Sequence, residues 1–450
     1  MPHASRALTA LVLLAAVAGS ARAQTRLSTR LDSLVRARLA SGPIAGLTVG
    51  VIKGRDTLLL KPYGKGEVEL GVPTPTRAIY EIGSVTKQFT AVAILKLRDA
   101  GKLSLDDPVT RYVPAFDTHG NTVTIRDLLS HTSGMRSYTE MASFGPIAAL
   151  ALPRDTLVKL IANEAFDFPT GTQARYNNSA YFLAGLVIEK ASGQPYGDYV
   201  TQEIFRPLGM RDASYCNEAT VTPRKVRGYD VARSTLVNHA WISHTWPYAA
   251  GSLCASVQDL LTWNTALHGG KVLSAASYQE LIAPATLTDG TTLRYAKGLA
   301  LRTIGGHRMI GHGGAIPGYL AESEYYPDDQ LTVVVLANTS GPVSPNQLGA
   351  DLAMLVLGRK PSTDSTFRGN RAALVGSYRG PARGAPLVVR IDTSATGLTI
   401  ARNGGKPEPL HYVGSETWTR GEDRLRFISS GTSAEIRYDA GSGYYILTKQ

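Results

Sequence analysis

Apolar positions follow two periods along this chain. A stripe of Leu27, Leu31, Leu34, Val35 and Leu39 predicts a helix over 26–40, and strand-like runs follow at 46–53 and 57–63. From about 84 to 300 the pattern is mainly helical, with apolar helices expected at 84–97, 179–191 and 257–267, the last stopped by Gly269-Gly270. Three strands, 307–316, 319–326 and 331–337, then form an antiparallel meander whose last two members are joined by Pro327-Asp328-Asp329-Gln330. A helix at about 346–357 covers that sheet with Leu348, Leu352, Met354 and Leu355. The polar stretch 358–366 reads as a linker. Beyond it lie eight short strands, near 374–378, 386–391, 397–402, 408–413, 416–419, 424–428, 434–438 and 443–448. Their spacing predicts a small β-barrel, either filled by side chains or holding one small ligand.

Composition narrows the class. With 43% hydrophobic and 18% charged residues over 450 positions, disordered and filamentous classes are excluded and two or three folded domains are expected. The net charge of +11 comes from scattered basic residues, which predicts a solvated surface and no nucleic-acid partner. Arg6, an apolar stretch over 7–18 and Ala21-Arg22-Ala23 read as a secretory signal peptide over 1–23, so export to a periplasmic or extracellular space is expected. The apolar stretch falls short of the ~20 residues a membrane span needs, and no transmembrane segment is expected elsewhere. In an oxidising compartment the two cysteines, Cys216 and Cys254, are candidates for one disulfide. No Cys/His cluster has ligand spacing, so neither a metal nor any other cofactor is expected.

Three short motifs carry candidate chemistry. Ser84 and Lys87 stand three apart where a strand-like run gives way to a helix, so both side chains share one face and Lys87 can reach the Ser84 hydroxyl. A buried lysine there loses its proton and can accept the proton of the serine. The bland alternative is a serine cap beside a solvated lysine. Tyr176 and Asn178 lie two apart in an extended segment before a helix and can face one ligand. Tyr215-Cys216-Asn217 has the same spelling, but its cysteine is better explained structurally. His312-Gly313-Gly314 falls within a strand, where paired glycines mark close approach of a ligand or another backbone. The competing triplet His268-Gly269-Gly270 ends a helix and reads as a cap.

In this order, Ser84-Val85-Thr86-Lys87, Tyr176-x-Asn178 and His312-Gly313-Gly314 resemble the serine beta-lactamase-like family of class C beta-lactamases, D-Ala-D-Ala carboxypeptidases, D-aminopeptidases and related esterases. Glu81-Ile82-Gly83, the block Leu128 to Met135, and Ala249-Ala250-Gly251-Ser252 add to the resemblance, which covers roughly 26–357. It implies an α+β transpeptidase fold, with an antiparallel sheet flanked by helices and a helical insertion. The tail is similar to a lipocalin-like barrel. The implied division is a catalytic domain over 24–357, a linker over 358–366 and a β-domain over 367–450.

By the same resemblance Ser84 is the acylated nucleophile, with Lys87 and Tyr176 sharing proton transfer. The backbone N–H groups of Ser84 and Ala315 form an oxyanion hole, and Asn178 binds the substrate amide. His312, with Gly313 and Gly314, helps hold a substrate carboxylate or Tyr176. Related beta-lactamases carry Lys-Thr-Gly where this chain has His-Gly-Gly, so a permanent cation is missing and D-peptides or esters are expected ahead of beta-lactams. The rival expectation, from another class, is a non-catalytic peptidoglycan- or lipid-binding protein.

Overall fold

A strand sends alternate side chains to opposite faces, and the central strand Leu331–Ala337 shows where each face goes. Val333, Val335 and Ala337 enter one buried cluster with Leu31, Val35, Leu348 and Leu352, while Val334 and Leu336 enter a second, larger cluster with Phe89, Leu183 and Leu260. The sheet is therefore the middle layer between two sets of helices. This is a computed structural model describing residues 24–360, 366–395, 397–430, 433–440 and 443–450. The expected signal segment 1–23 and the centre of the expected linker, 361–365, lie outside the described residues.

Helix α1 covers 24–39. The sheet strands are β1 (Gly46–Lys53), β2 (Asp56–Glu67), β3 (Ala300–Ile304), β4 (His307–Ile316), β5 (Tyr319–Tyr326) and β6 (Leu331–Ala337). They pair antiparallel in the order β3-β4-β5-β6-β1-β2, with the short strand Val72–Pro73 beyond β2. Strand β3 begins where the stretch read as mainly helical ends and is not expected as a strand, because Ala300 to Ile304 is too short and too exposed on one side to show a period-2 pattern. The helices that matter for the site are α2 (Thr86–Asp99), α3 (Asn178–Ser192) and α4 (Val257–His268), and α5 (Pro345–Leu357) packs beside α1 on the opposite face. Among the described residues no helix is long and apolar enough to cross a membrane.

Eight further strands, β7 (Gly376–Gly380), β8 (Leu387–Ser394), β9 (Gly397–Arg402), β10 (Glu408–Gly414), β11 (Thr417–Arg420), β12 (Asp423–Ser430), β13 (Ser433–Ala440) and β14 (Gly443–Lys449), each pair with the next. Pairing of Tyr378 with Lys449 closes them into a barrel. Of the two expectations for its interior the filled one holds, since Val389, Ile391, Ile400, Leu425, Ile436 and Leu447 pack there with Tyr378 and Trp418. The barrel also touches the rest of the chain. Strand β14 pairs with the short strand Ala174–Arg175, and Arg294 Nε donates to Asp439 at 2.6 Å.

Cys216 and Cys254 form a disulfide with Cα atoms 5.4 Å apart. Cys254 lies in the strand Leu253–Ala255, which pairs with Tyr80–Glu81 on one side and Ser214–Tyr215 on the other. The bond thus ties down the strand that pairs with Tyr80–Glu81, the segment leading into Ser84. Because it closes a sequence separation of 38, replacing both cysteines by alanine should lower unfolding free energy by about 2–4 kcal/mol. Urea unfolding of the oxidised protein and the double variant measures this, and equal midpoints would contradict a stabilising bond.

Candidate active site

Ser84 sits in a single 3-10 turn, Gly83–Val85, that runs into α2, and is half-buried. The turn depends on Gly83, whose φ of +50° is left-handed and whose missing side chain would lie 2.9 Å from the Ala315 nitrogen. A side chain at Gly314 would strike the Ile82 carbonyl at 2.0 Å. The two glycines therefore let the backbone of β4 lie directly against the backbone entering Ser84, as the paired glycines of the His312 motif led one to expect. Strand β3 pairs with β4 only as far as Gly311, so the stretch Gly313 to Ala315 presents one strand edge without a neighbouring strand of the sheet.

Lys87, on the first turn of α2, is fully buried. Its Nζ lies 3.1 Å from Ser84 Oγ, 2.8 Å from Asn178 Oδ1 and 2.8 Å from the Ala250 carbonyl. Burial, and secondly the positive field of Arg383, hold its pKa well below the ordinary 10.5. Burial thus favours the unprotonated amine, which has two N–H donors and one lone pair. The carbonyl of Ala250 and the amide oxygen of Asn178 can only accept, so they take the two donors. In that form the lone pair is left for the Ser84 hydroxyl, the one partner of the three able to give a proton.

Asn177, at the N-cap, accepts from the Ala180 amide and starts α3, which sets Asn178 on its first turn. Tyr176 precedes it, with its ring centroid 4.7 Å from Lys87 Nζ. The Tyr176 hydroxyl is buried, meets no hydrogen-bond partner among the described residues, and lies near enough to Ser84 for that hydroxyl to influence it. Burial raises its pKa above the ordinary 10, so the phenol keeps its proton.

Two parts are expected of His312, holding a substrate carboxylate or holding Tyr176. Nδ1 lies 2.6 Å from the Gly313 carbonyl, which can only accept, so Nδ1 carries the proton and Nε2 accepts from the Tyr295 hydroxyl at 3.0 Å. Burial, then the nearby Lys87, lower its pKa to about 3. A neutral ring with both nitrogens engaged offers nothing to a substrate carboxylate. What it does fit is the other expectation, holding Tyr176, whose ring centroid is 5.8 Å away.

Structure brings Ser84, Lys87, Tyr176, Asn178, His312, Gly314 and Ala315 together, and leaves the competing triplets elsewhere. Tyr215 donates to the His244 carbonyl, and His268 stacks on Tyr325 with centroids 4.0 Å apart, followed by left-handed Gly270. Four groups were not assigned a part from sequence. His131 accepts from the Asn177 amide at 3.1 Å and packs 4.5 Å from the Tyr176 ring. Tyr295, the Ala250 carbonyl and Arg383 are the others. His131 and Ala250 lie within blocks that already resembled the family. Tyr295 and Arg383 sit in loops with no local signal.

The Beta-lactamase family profile matches residues 31–358, and the chain belongs to that family as a beta-lactamase-related serine hydrolase. It is 30% identical over 308 residues to a penicillin-binding protein of Bacillus subtilis, covering 65% of this chain and 67% of that protein. It is 28% identical over 401 residues to a D-aminopeptidase of Cereibacter sphaeroides, covering 87% and 73%. In fold it is similar to an octameric penicillin-binding protein homologue from Pyrococcus abyssi, with a TM-score of 0.65, 24% identity and coverage of 93% and 99%.

The lowered Lys87 pKa has a kinetic sign. A base must be unprotonated to act, so kcat/KM should rise with pH as Lys87 loses its proton and level off well below pH 10.5. A profile still climbing at pH 10 would show a lysine that is neither dry nor neutral.

Proposed function

We propose that this protein is an exported serine hydrolase that cleaves D-amino-acid peptides through an acyl-enzyme on Ser84, with short esters as the next class of substrate. The observation that carries this reading is the fully buried Lys87 amine 3.1 Å from the Ser84 hydroxyl, with its pKa held well below the ordinary value. In the first half-reaction Lys87 takes the Ser84 proton while Oγ bonds to the substrate carbonyl carbon. The oxyanion so formed is received by the backbone N–H groups of Ser84 and Ala315, where one donor is typically worth ~3 kcal/mol. Tyr176, protonated at neutral pH, donates to the leaving nitrogen as the carbon–nitrogen bond breaks, and is reprotonated from Lys87. Water repeats the sequence with the acyl group and releases Ser84. Asn178, which accepts from Lys87, binds the substrate amide in this reading.

Residues 24–357 carry this chemistry and 367–450 form an accessory domain. Export is supported by the segment 1–23 and by the disulfide, which suits an oxidising compartment. Beta-lactams rank lower, because the position that is lysine in related beta-lactamases holds neutral His312. A purely binding role is disfavoured by the neutral lysine, which a binder does not need. Similarity to a D-aminopeptidase and to D-amino acid amidases supports the choice of D-peptides.

A fluorophosphonate should add covalent mass to the peptide containing Ser84, and Ser84→Ala should abolish both labelling and hydrolysis while leaving the thermal midpoint nearly unchanged. No labelling by this probe or by a labelled penicillin would favour the binder. Tyr176→Phe should slow turnover by about 100-fold or more, whereas Tyr215→Phe should change it little. Equal effects would mean that Tyr176 moves no proton.

A further inference from the structure

The barrel reaches the site through the loop 381–386 between β7 and β8. Glu140 ties this loop down, its Oε1 accepting from Arg383 Nε at 2.8 Å and its Oε2 from the Gly384 amide at 3.0 Å. Arg383 Nη2 donates to Thr139 Oγ1 at 3.3 Å, and the same hydroxyl meets Asn178 Nδ2 at 3.4 Å. Arg383 Cζ stands 5.2 Å from the Tyr176 ring centroid, and Lys87 Nζ stands 4.7 Å from the same centroid, so the guanidinium and the amine share one ring.

Glu140 anchors this cation without consuming it. Both carboxylate oxygens are engaged and the Glu140 side chain is only 10% exposed, whereas that of Arg383 is 35% exposed. A guanidinium has five N–H donors in a fixed fork, and Nε and one Nη2 hydrogen are the ones committed here. The other charged groups near Tyr176 are spent or neutral. Lys87 and His312 are held below their ordinary pKa values, Arg302 faces Glu322 and Glu422, and Arg294 is bound to Asp439.

We propose that Arg383 is a carboxylate-binding residue that receives the free terminal carboxylate of the leaving residue, making the enzyme prefer peptides that end beside the scissile amide. This rests on Ser84 being the acylated residue. In such a peptide the carboxylate is one carbon beyond the leaving nitrogen, so a nitrogen protonated by Tyr176 brings it over the ring that Arg383 flanks. A planar fork suits a carboxylate better than a point charge does. The cation absent from the β4 motif is thus supplied by the barrel.

The test compares acetyl-Lys(acetyl)-D-Ala-D-Ala with its C-terminal amide in the full chain. Native enzyme should favour the acid in kcat/KM, and Arg383→Gln should shrink the acid-to-amide ratio by about 10- to 100-fold, with Arg383→Lys in between. An unchanged ratio, even with both rates lowered, would assign Arg383 a purely structural part and overturn the proposal. Calorimetry with Ser84→Ala provides a readout without turnover: N-acetyl-D-alanine should bind more tightly than its amide, and adding Arg383→Gln should erase the difference. Equal binding of acid and amide overturns the anchor. Failure of native enzyme to take up a fluorophosphonate, by contrast, overturns the Ser84 reading.

Discussion

A primary amine kept dry, with no acid beside it, is the constraint from which the rest of this structure follows. An ammonium taken out of water without a counter-ion is costly enough that the group gives up its proton instead. To impose that on Lys87 the fold must bury the helix that carries it on nearly every side, and α2 is buried at every position from Thr86 to Leu95. Helix α3 supplies Asn178, the short helix Tyr248–Gly251 supplies the Ala250 carbonyl, and the sheet supplies the backbone against which Gly83 turns. Each element therefore both excludes water and fixes one direction of the amine. Only the direction of Ser84 is left for proton transfer.

Much of this was legible because the constraint leaves local traces. Helices α2 to α5 carry long apolar stretches and the strand 331–337 is almost wholly apolar, so these elements and the turn-bounded meander at 307–337 follow closely from pattern. The barrel strands were equally legible, since eight short alternating runs separated by turns suit no helix. What escaped was set by contacts distant in sequence. Strand β3 shows no period because one side of it is half exposed, and it exists as a strand through pairing with β4. Tyr295 gains its part from His312 and His131, and Arg383 from Glu140 and Thr139, none of which is a sequence neighbour. His131 adopts a left-handed φ of 62° at the end of Ile125–Ser130, a conformation that sequence spelling alone does not reveal for histidine.

Around the lysine the protein places neutral rings rather than charges. His131, Tyr176, Tyr181 and Tyr295 pack on one another, with His131 centroids 4.5, 5.3 and 4.7 Å from the three tyrosines. Burial drives His131 and His312 toward the neutral form and the tyrosines toward the protonated form, so the same desolvation acts on all of them in the direction of zero charge. This is consistent with the replacement of a cation by His312. A lysine at that position would put a buried positive centre close to Lys87, and a histidine that accepts from Tyr295 does not.

A filled barrel cannot act by holding a ligand inside, so its contribution has to come from its outer surface. Three outer features touch the hydrolase fold at one place. Strand β14 pairs with Ala174–Arg175, the two residues before Tyr176, Asp439 binds Arg294 immediately before Tyr295, and the 381–386 loop lies on Thr139 and Glu140. Backbone pairing fixes the approach of Tyr176, the ion pair fixes the approach of Tyr295, and the loop brings a permanent charge to the rim of an otherwise neutral pocket. Charge discrimination and proton transfer are thereby built on separate parts of the chain. The dry interior can stay uncharged, as proton transfer from Ser84 requires, because a cation stands at its edge, anchored by a carboxylate outside the lysine pocket.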